Sequence, residues 1–370
     1  MNEPNSRLLR ELDLRIASAK SQVDQDCLLA ERACYLARRG FLTDADNTVR
    51  ILRARYAHAP LDIVLARINL AEGLIHHFRD MSDQAREKFL RAHALSEVSE
   101  NGPLIALSAA WLAHLDYLQG DVVAMTKHLD RALQHVTPEN HSAMSRATLV
   151  VADAYHLAAR LDLALRWYAA SRVHAAAEGD DATLSAYMHN MAWLRAANLR
   201  QNQFCSRPQS PDGAYALMSA NSVFNFDQHL GEVSLQSLVP ILRAQILSLT
   251  GQFVEALDLY EEHLSHALQE GLQRMHSNLL ADKAWCKLQV GDKEGALADA
   301  AVAKSLITPN THCDDTASTH SRLSHLYAEV GDAVSAKEHS ESAAKAWQYH
   351  SALQESIVQH LATLSFPIVP

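Results

Sequence analysis

The chain has 370 residues, of which 48% are hydrophobic and 21% charged, with only 12 glycines and 10 prolines; that supplies ample apolar surface for a core and few turns, so an almost wholly helical protein is expected. A formal net charge of -10, with no run of Lys or Arg, argues against a nucleic-acid surface, which needs a basic patch. No apolar run approaches the roughly 18 residues a membrane-spanning helix requires, so no membrane partner is expected.

The first stretch, MNEPNSRLLRELDLR, is charged from its third residue and lacks the apolar core of a secretory signal. Cys27, Cys34, Cys205, Cys286 and Cys313 are scattered without a C-x-x-C spacing, as suits free thiols in a reducing compartment. A cytoplasmic chain is the expectation. Cys27 and Cys34 share a helix face but stand two turns apart, about 10 Å along the axis, too far for a disulfide.

In chain order, a helix near 5–23 comes first. Glycines then act as a ruler: Gly40 and Gly120 are 80 residues apart, and Gly251, Gly291 and Gly331 stand 40 apart. Asp80 and the pair Ala159 and Arg160 occupy the intermediate marks. Five residues past each mark lies Ala45, Ala85, Met125, Ala164, Ala256, Ala296 or Ala336, mostly small enough for close helix contact. Between marks the apolar residues keep helical spacing, as in Leu104, Leu107, Trp111, Leu115 and Leu118. Each period therefore predicts two helices, with Gly-Asp supplying a C-cap and then an acceptor for the next helix. From Arg160 to Gly251 is 91 residues, two periods plus 11. The surplus falls at NQFCSRPQSPDGA, whose prolines and Pro-Asp-Gly signal predict a loop.

The segment SRLSHLYAEVGDAVSAKEHSESA at 321–343 resembles a tetratricopeptide repeat, with Leu323, Ser324, Tyr327, Gly331, Ala336 and Ala343 at that motif's small, aromatic and hinge positions. Tyr155 and Tyr260 match its aromatic positions elsewhere. The usual repeat is about 34 residues, so the longer period implies longer helices. The resemblance implies an all-α, right-handed solenoid of about eight hairpins. Its predicted division is an N-terminal capping helix over 1–24, an array over 25–350 with an insertion loop at 202–213, and a capping helix and tail over 351–370.

No G-x-S-x-G, H-E-x-x-H, G-x-x-x-x-G-K-[ST] or G-x-G-x-x-G motif occurs, so no catalytic set and no cofactor is expected. Histidines number 21. Asp153 and His156 share a helix face and could begin a metal site with a third ligand from a neighbouring helix, but no local ligand pair of recognised spacing supports it, and no metal is expected. Trp111, Trp193 and Trp285 read as packing between repeats, with ligand stacking as the alternative.

In tetratricopeptide-like arrays the first helix of each hairpin lines the concave surface. Residues at fixed offsets before the hinge then form ladders that gather His77, His114, Tyr117, Asp153, His156, Arg195 and Asn198, with Arg67 and Arg146 adding positive charge. Such a groove suits a protein or peptide partner, or a small acidic ligand, because Arg and His pair with carboxylates and Tyr offers a flat apolar face. The expected function is a non-catalytic binding scaffold. The alternative is a ligand- or peptide-sensing regulator acting in trans on a signalling or transcription partner.

Overall fold

The hinges marked by the 40-residue period are where the backbone turns left-handed. Gly40, Gly120, Gly251, Gly291 and Gly331 have φ between 71 and 96°, and the two marks without glycine are met by Met81 (φ 53°) and Ala159 (φ 56°). After Gly331 the Asp332 N–H reaches back to the Tyr327 carbonyl (2.9 Å), and the Asp332 carboxylate accepts from Ser335 N (3.0 Å). Gly120-Asp121 and Gly291-Asp292 repeat the arrangement, Asp121 accepting from Ala124 N and Asp292 from Gly295 N. One dipeptide thus ends one helix and starts the next.

The computed structural model describes residues 6–205, 212–230, 237–308 and 311–365. Within them helix α1 (Arg7–Ala17) precedes four hairpins: α2 (Gln22–Arg38) with α3 (Leu42–Arg55), α4 (Asp62–Asp80) with α5 (Gln84–Val98), α6 (Gly102–Gln119) with α7 (Val122–His135), and α8 (His141–Leu157) with α9 (Leu161–Glu178). Four more follow: α10 (Asp181–Phe204) with α11 (Asp212–Leu230), α12 (Leu238–Leu249) with α13 (Phe253–Gln269), α14 (His276–Gln289) with α15 (Lys293–Ser305), and α16 (Cys313–Val330) with α17 (Ala333–Leu361). A 3-10 turn, Leu272–Met275, leads into α14. No strand occurs among the described residues.

Small residues set the helix contacts. Ala45, Ala85, Ala164, Ala256 and Ala296 are wholly buried, and Met125 nearly so. Ala336, the last in that series, is only half-buried, because no further hairpin covers it. At Gly73 a β-carbon would stand 2.5 Å from the Phe89 ring. That glycine lets α5 lay Phe89 directly against the α4 backbone.

The array closes on itself across four repeats. Arg38 of the first hairpin pairs with Asp180 (2.6 Å) and donates to Thr183 (3.0 Å) at the start of the fifth, and Arg39 donates to the Leu230 carbonyl at its end (2.8 Å). Arg274, just before the seventh hairpin, donates to the Leu118 carbonyl of the third (3.1 Å). Gln354 of the eighth donates to the Leu157 carbonyl of the fourth (2.7 Å) and exchanges amide bonds with Gln201.

Two boundaries differ from the sequence reading. α17 is one helix of 29 residues, so the segment expected as a separate closing helix continues the last hairpin. Its end buries Ile357 and Leu361 in the same apolar cluster as Leu129 and Tyr155, between the third and fourth hairpins. The loop expected at 202–213 falls chiefly on 206–211, outside the described residues, while 202–204 and 212–213 are helical. The tail FPIVP likewise lies outside them.

Candidate functional site

Because the superhelix closes, its concave face becomes an interior cavity of about 230 Å³. The last turn of α4 brings His77 to it, α6 brings His114 and Tyr117, and α8 brings Arg146 and Asp153. All five are among the residues the hinge ladders select. From the other side come Arg274, Asp315 and His350. The cavity continues into an opening of about 940 Å³ near Asp80, Arg86, Gln119 and Gln273, sharing His77, Leu118, Arg274 and His312 as a common wall.

Arg146 is a buried charge in the cavity wall. Its guanidinium carbon stands 3.8 Å from the centre of the Trp111 ring, and its Nε is buried without a hydrogen-bond partner. No carboxylate among the described residues forms an ion pair with it. Burial, with the nearby Arg38 charge adding to it, lowers its pKa to about 9, so it still carries its proton at neutral pH. Trp111 is itself buried, stacked on Phe89 at 5.6 Å and edge-on to His114 at 5.7 Å. Packing thus describes this tryptophan, while its face serves Arg146 as a cation platform.

His77 and His114 are neutral at pH 7. Burial pushes His77 down to about 3 and His114 well below its ordinary value, with the Arg146 charge acting the same way. The His114 Nδ1 is a second buried atom without a hydrogen-bond partner. Asp153 accepts from Tyr168 Oη (2.8 Å) and Asn190 Nδ2 (2.7 Å). Burial nonetheless raises its carboxyl to about 7, so it titrates near neutrality.

Four expected residues lie elsewhere. His156 is buried with Nδ1 3.2 Å from Tyr168 Oη within its own hairpin, and its backbone carbonyl accepts from Asn198 Nδ2 of the next hairpin (3.2 Å); neither side chain lines the cavity. Arg195 donates to Ser219 (2.8 Å) and lies over the Tyr215 ring at 4.5 Å, so it packs on α11 within its own hairpin. Arg67 is half-buried on α4 toward α2, near Cys27 and Cys34. The pairing of Asp153 and His156 runs through Tyr168 rather than through a third metal ligand.

The fifth hairpin instead presents Ser185, His189, Asn190 and Trp193 to the cavity. Counting back from its hinge fails because α10 has 24 residues against 17 in α8, and the extra turns rotate the register. Trp193, stacked on His189 at 5.9 Å, is thus a wall of the cavity as well as a packing residue. The contribution of Arg274, Asp315 and His350 depends on closure between distant repeats, for which no local signal exists.

Among solved structures, the chain is similar to a Rap protein complexed with competence and sporulation factor, at 12% identity and a TM-score of 0.53, covering 95% of this chain and 92% of that one. The fold is a tetratricopeptide-like solenoid. The apo form of RapI is similar at 10% identity and a TM-score of 0.45, covering 92% of this chain and 97% of that one. No family model matches the sequence, and no curated protein matches it.

Proposed function

We propose that this chain is a non-catalytic, cytoplasmic binding protein that takes an extended peptide bearing a carboxylate in its interior cavity and acts in trans on a partner protein. The observation that carries the reading is Arg146: a buried guanidinium with an unpartnered Nε, on an aromatic platform, beside neutral histidines and an amide. Asp180 and Asp153 act on this guanidinium only at a distance; a buried cation with no direct ion pair is costly, and an incoming carboxylate offsets that cost with charge-assisted hydrogen bonds. Asn190, His114 and Tyr117 offer donors and acceptors to a peptide backbone, and Trp193 a flat apolar wall. The solved Rap structure of similar fold, complexed with competence and sporulation factor, supports ligand binding by such a solenoid at the level of fold alone.

The residues proposed to hold the occupant are His77, His114, Tyr117, Arg146 and Asp153 of the original set, joined by Asn190 and Trp193. Arg67, His156, Arg195 and Asn198 act at a distance, through packing. Regulation in trans is favoured by closure across four repeats: an occupant touching α8 and α17 together biases the contact of Gln354 with Leu157 and so the spacing of the outer surface. Catalysis is disfavoured because Asp153 is already engaged by Tyr168 and Asn190.

Titration of the intact chain with a peptide library, half with free C-terminal carboxylates and half amidated, followed by tryptophan fluorescence, tests the reading. Free-carboxylate peptides should bind and amidated ones should not. Equal retention of both classes, or of neither, removes Arg146 as the anchor.

A further inference from the structure

The last hairpin carries a donor cluster that the peptide reading does not use. The Cys313 thiol, an Asp314 carboxylate oxygen and an His350 ring nitrogen all lie within 4.8 Å of one another, with Cys313 Sγ 3.8 Å from His350 Nδ1. Cys313 and Asp314 open α16 and His350 lies in α17. The three donors thus converge from two helices packed face to face. His350 is buried and the other two are half-buried.

We propose that Cys313, Asp314 and His350 form a binding site for a single divalent transition ion, zinc in the first instance. The donor set selects the ion. Calcium and magnesium take oxygen ligands and have no use for a thiolate, and copper(I) prefers several soft sulfurs, whereas zinc accepts sulfur, imidazole nitrogen and carboxylate oxygen together. The geometry also fits. With Zn–S and Zn–N bonds of about 2.3 and 2.05 Å, tetrahedral sulfur and nitrogen donors stand about 3.6 Å apart, close to the 3.8 Å observed.

Charge balances as well. Binding replaces the thiol proton, which passes to solvent, so the thiolate and the Asp314 carboxylate together offset the two charges of the ion. In the metal-free chain, burial and the adjacent Asp314 carboxylate push the Cys313 thiol up to about 11, so the ion has to displace that proton. Asp314 and His350 line the interior cavity, and Cys313 lines its opening. The fourth coordination position is therefore left to water or to a donor on whatever enters. The sequence conceals this site, since 37 residues separate Cys313 from His350 and no C-x-x-C or H-x-x-x-H spacing announces it.

The test uses the full chain, stripped with chelator and titrated with Co²⁺ and then Zn²⁺. About one equivalent of Co²⁺ should bind with a thiolate-to-cobalt charge-transfer band, and Zn²⁺ should displace it. The band should vanish in Cys313→Ser, the bound equivalent should be lost in His350→Gln, and both should persist in Cys27→Ser. Cobalt bound without the band, a band that survives Cys313→Ser, or no binding at all would overturn the proposal. Should Cys313→Ser lose helix content, alkylation of folded wild type decides: Zn²⁺ protects Cys313 and leaves Cys27 unaffected if the site exists, and protects neither if it does not.

Discussion

The Arg146 guanidinium carbon lies over the Trp111 ring, 3.8 Å from its centre, while its Nε has no hydrogen-bond partner. The interaction with the ring returns only part of the desolvation cost of a buried cation. Arg146→Met should therefore raise stability, by roughly 1 to 3 kcal/mol, while abolishing capture of carboxylate-bearing peptides. Urea unfolding and peptide titration on the same preparation check both halves. A variant that loses stability and keeps binding would show that the guanidinium is a structural strut.

Asp153 gives the cavity a pH dependence whose sign can be worked out. Its folded pKa is raised to about 7, above an unfolded value of about 3.9. The folded state thus holds a proton that the unfolded state releases between those values, and the group's contribution to stability falls as pH rises through that window. Asp153→Asn removes this slope. Relative to wild type, the variant should be more stable at pH 8 than at pH 5. Urea midpoints of both proteins at the two pH values test it, and a difference that does not change with pH would mean that Asp153 is already ionised at pH 5.

Ala296 is wholly buried where α15 meets its neighbours, so Ala296→Leu should overpack the contact and cost about 1 to 3 kcal/mol. Ala336→Leu, at the half-buried end of the same series, should cost clearly less. Comparison of their unfolding midpoints reads the difference between a covered and an uncovered repeat.

Ala159 turns its hinge at φ 56° and is exposed. Ala159→Gly relieves the left-handed strain of about 1 to 2 kcal/mol and adds chain entropy to the unfolded state, for a net gain of about 0.5 to 1 kcal/mol. Thermal unfolding should show a small upward shift in Tm.

The repeat architecture was legible because its determinants are local: a left-handed residue at each marked hinge, an aspartate after Gly120, Gly291 and Gly331, and a mostly small residue five positions past each mark. Met81 and Ala159 show that the period, not glycine itself, marks the turn. The same locality served the candidate site from α4 to α8, of 19, 18 and 17 residues, where His77, His114, Tyr117 and Asp153 reach the cavity, although Arg67 and His156 on the same helices do not. It failed at Arg195 and Asn198, because α10 is longer than its predecessors and an offset measured from the hinge lands on another face. Arg274 and His350 were invisible for a different reason: they reach the cavity through closure between repeats, which depends on accumulated superhelical twist rather than on any one segment.

That closure changes what kind of material the array is. A solenoid whose repeats touch only their neighbours behaves as a one-dimensional chain, able to fray from an end and melt piecewise. Here Arg38 and Asp180, Arg274 and Leu118, and Gln354 and Leu157 each bridge four repeats, so the ends are not free boundaries. Loss of the last turns of α17 would uncover Leu129 and Tyr155 in the middle of the molecule rather than merely shorten it. The chain should respond to truncation as a hoop does to a cut, by springing open along its whole length in a single cooperative transition.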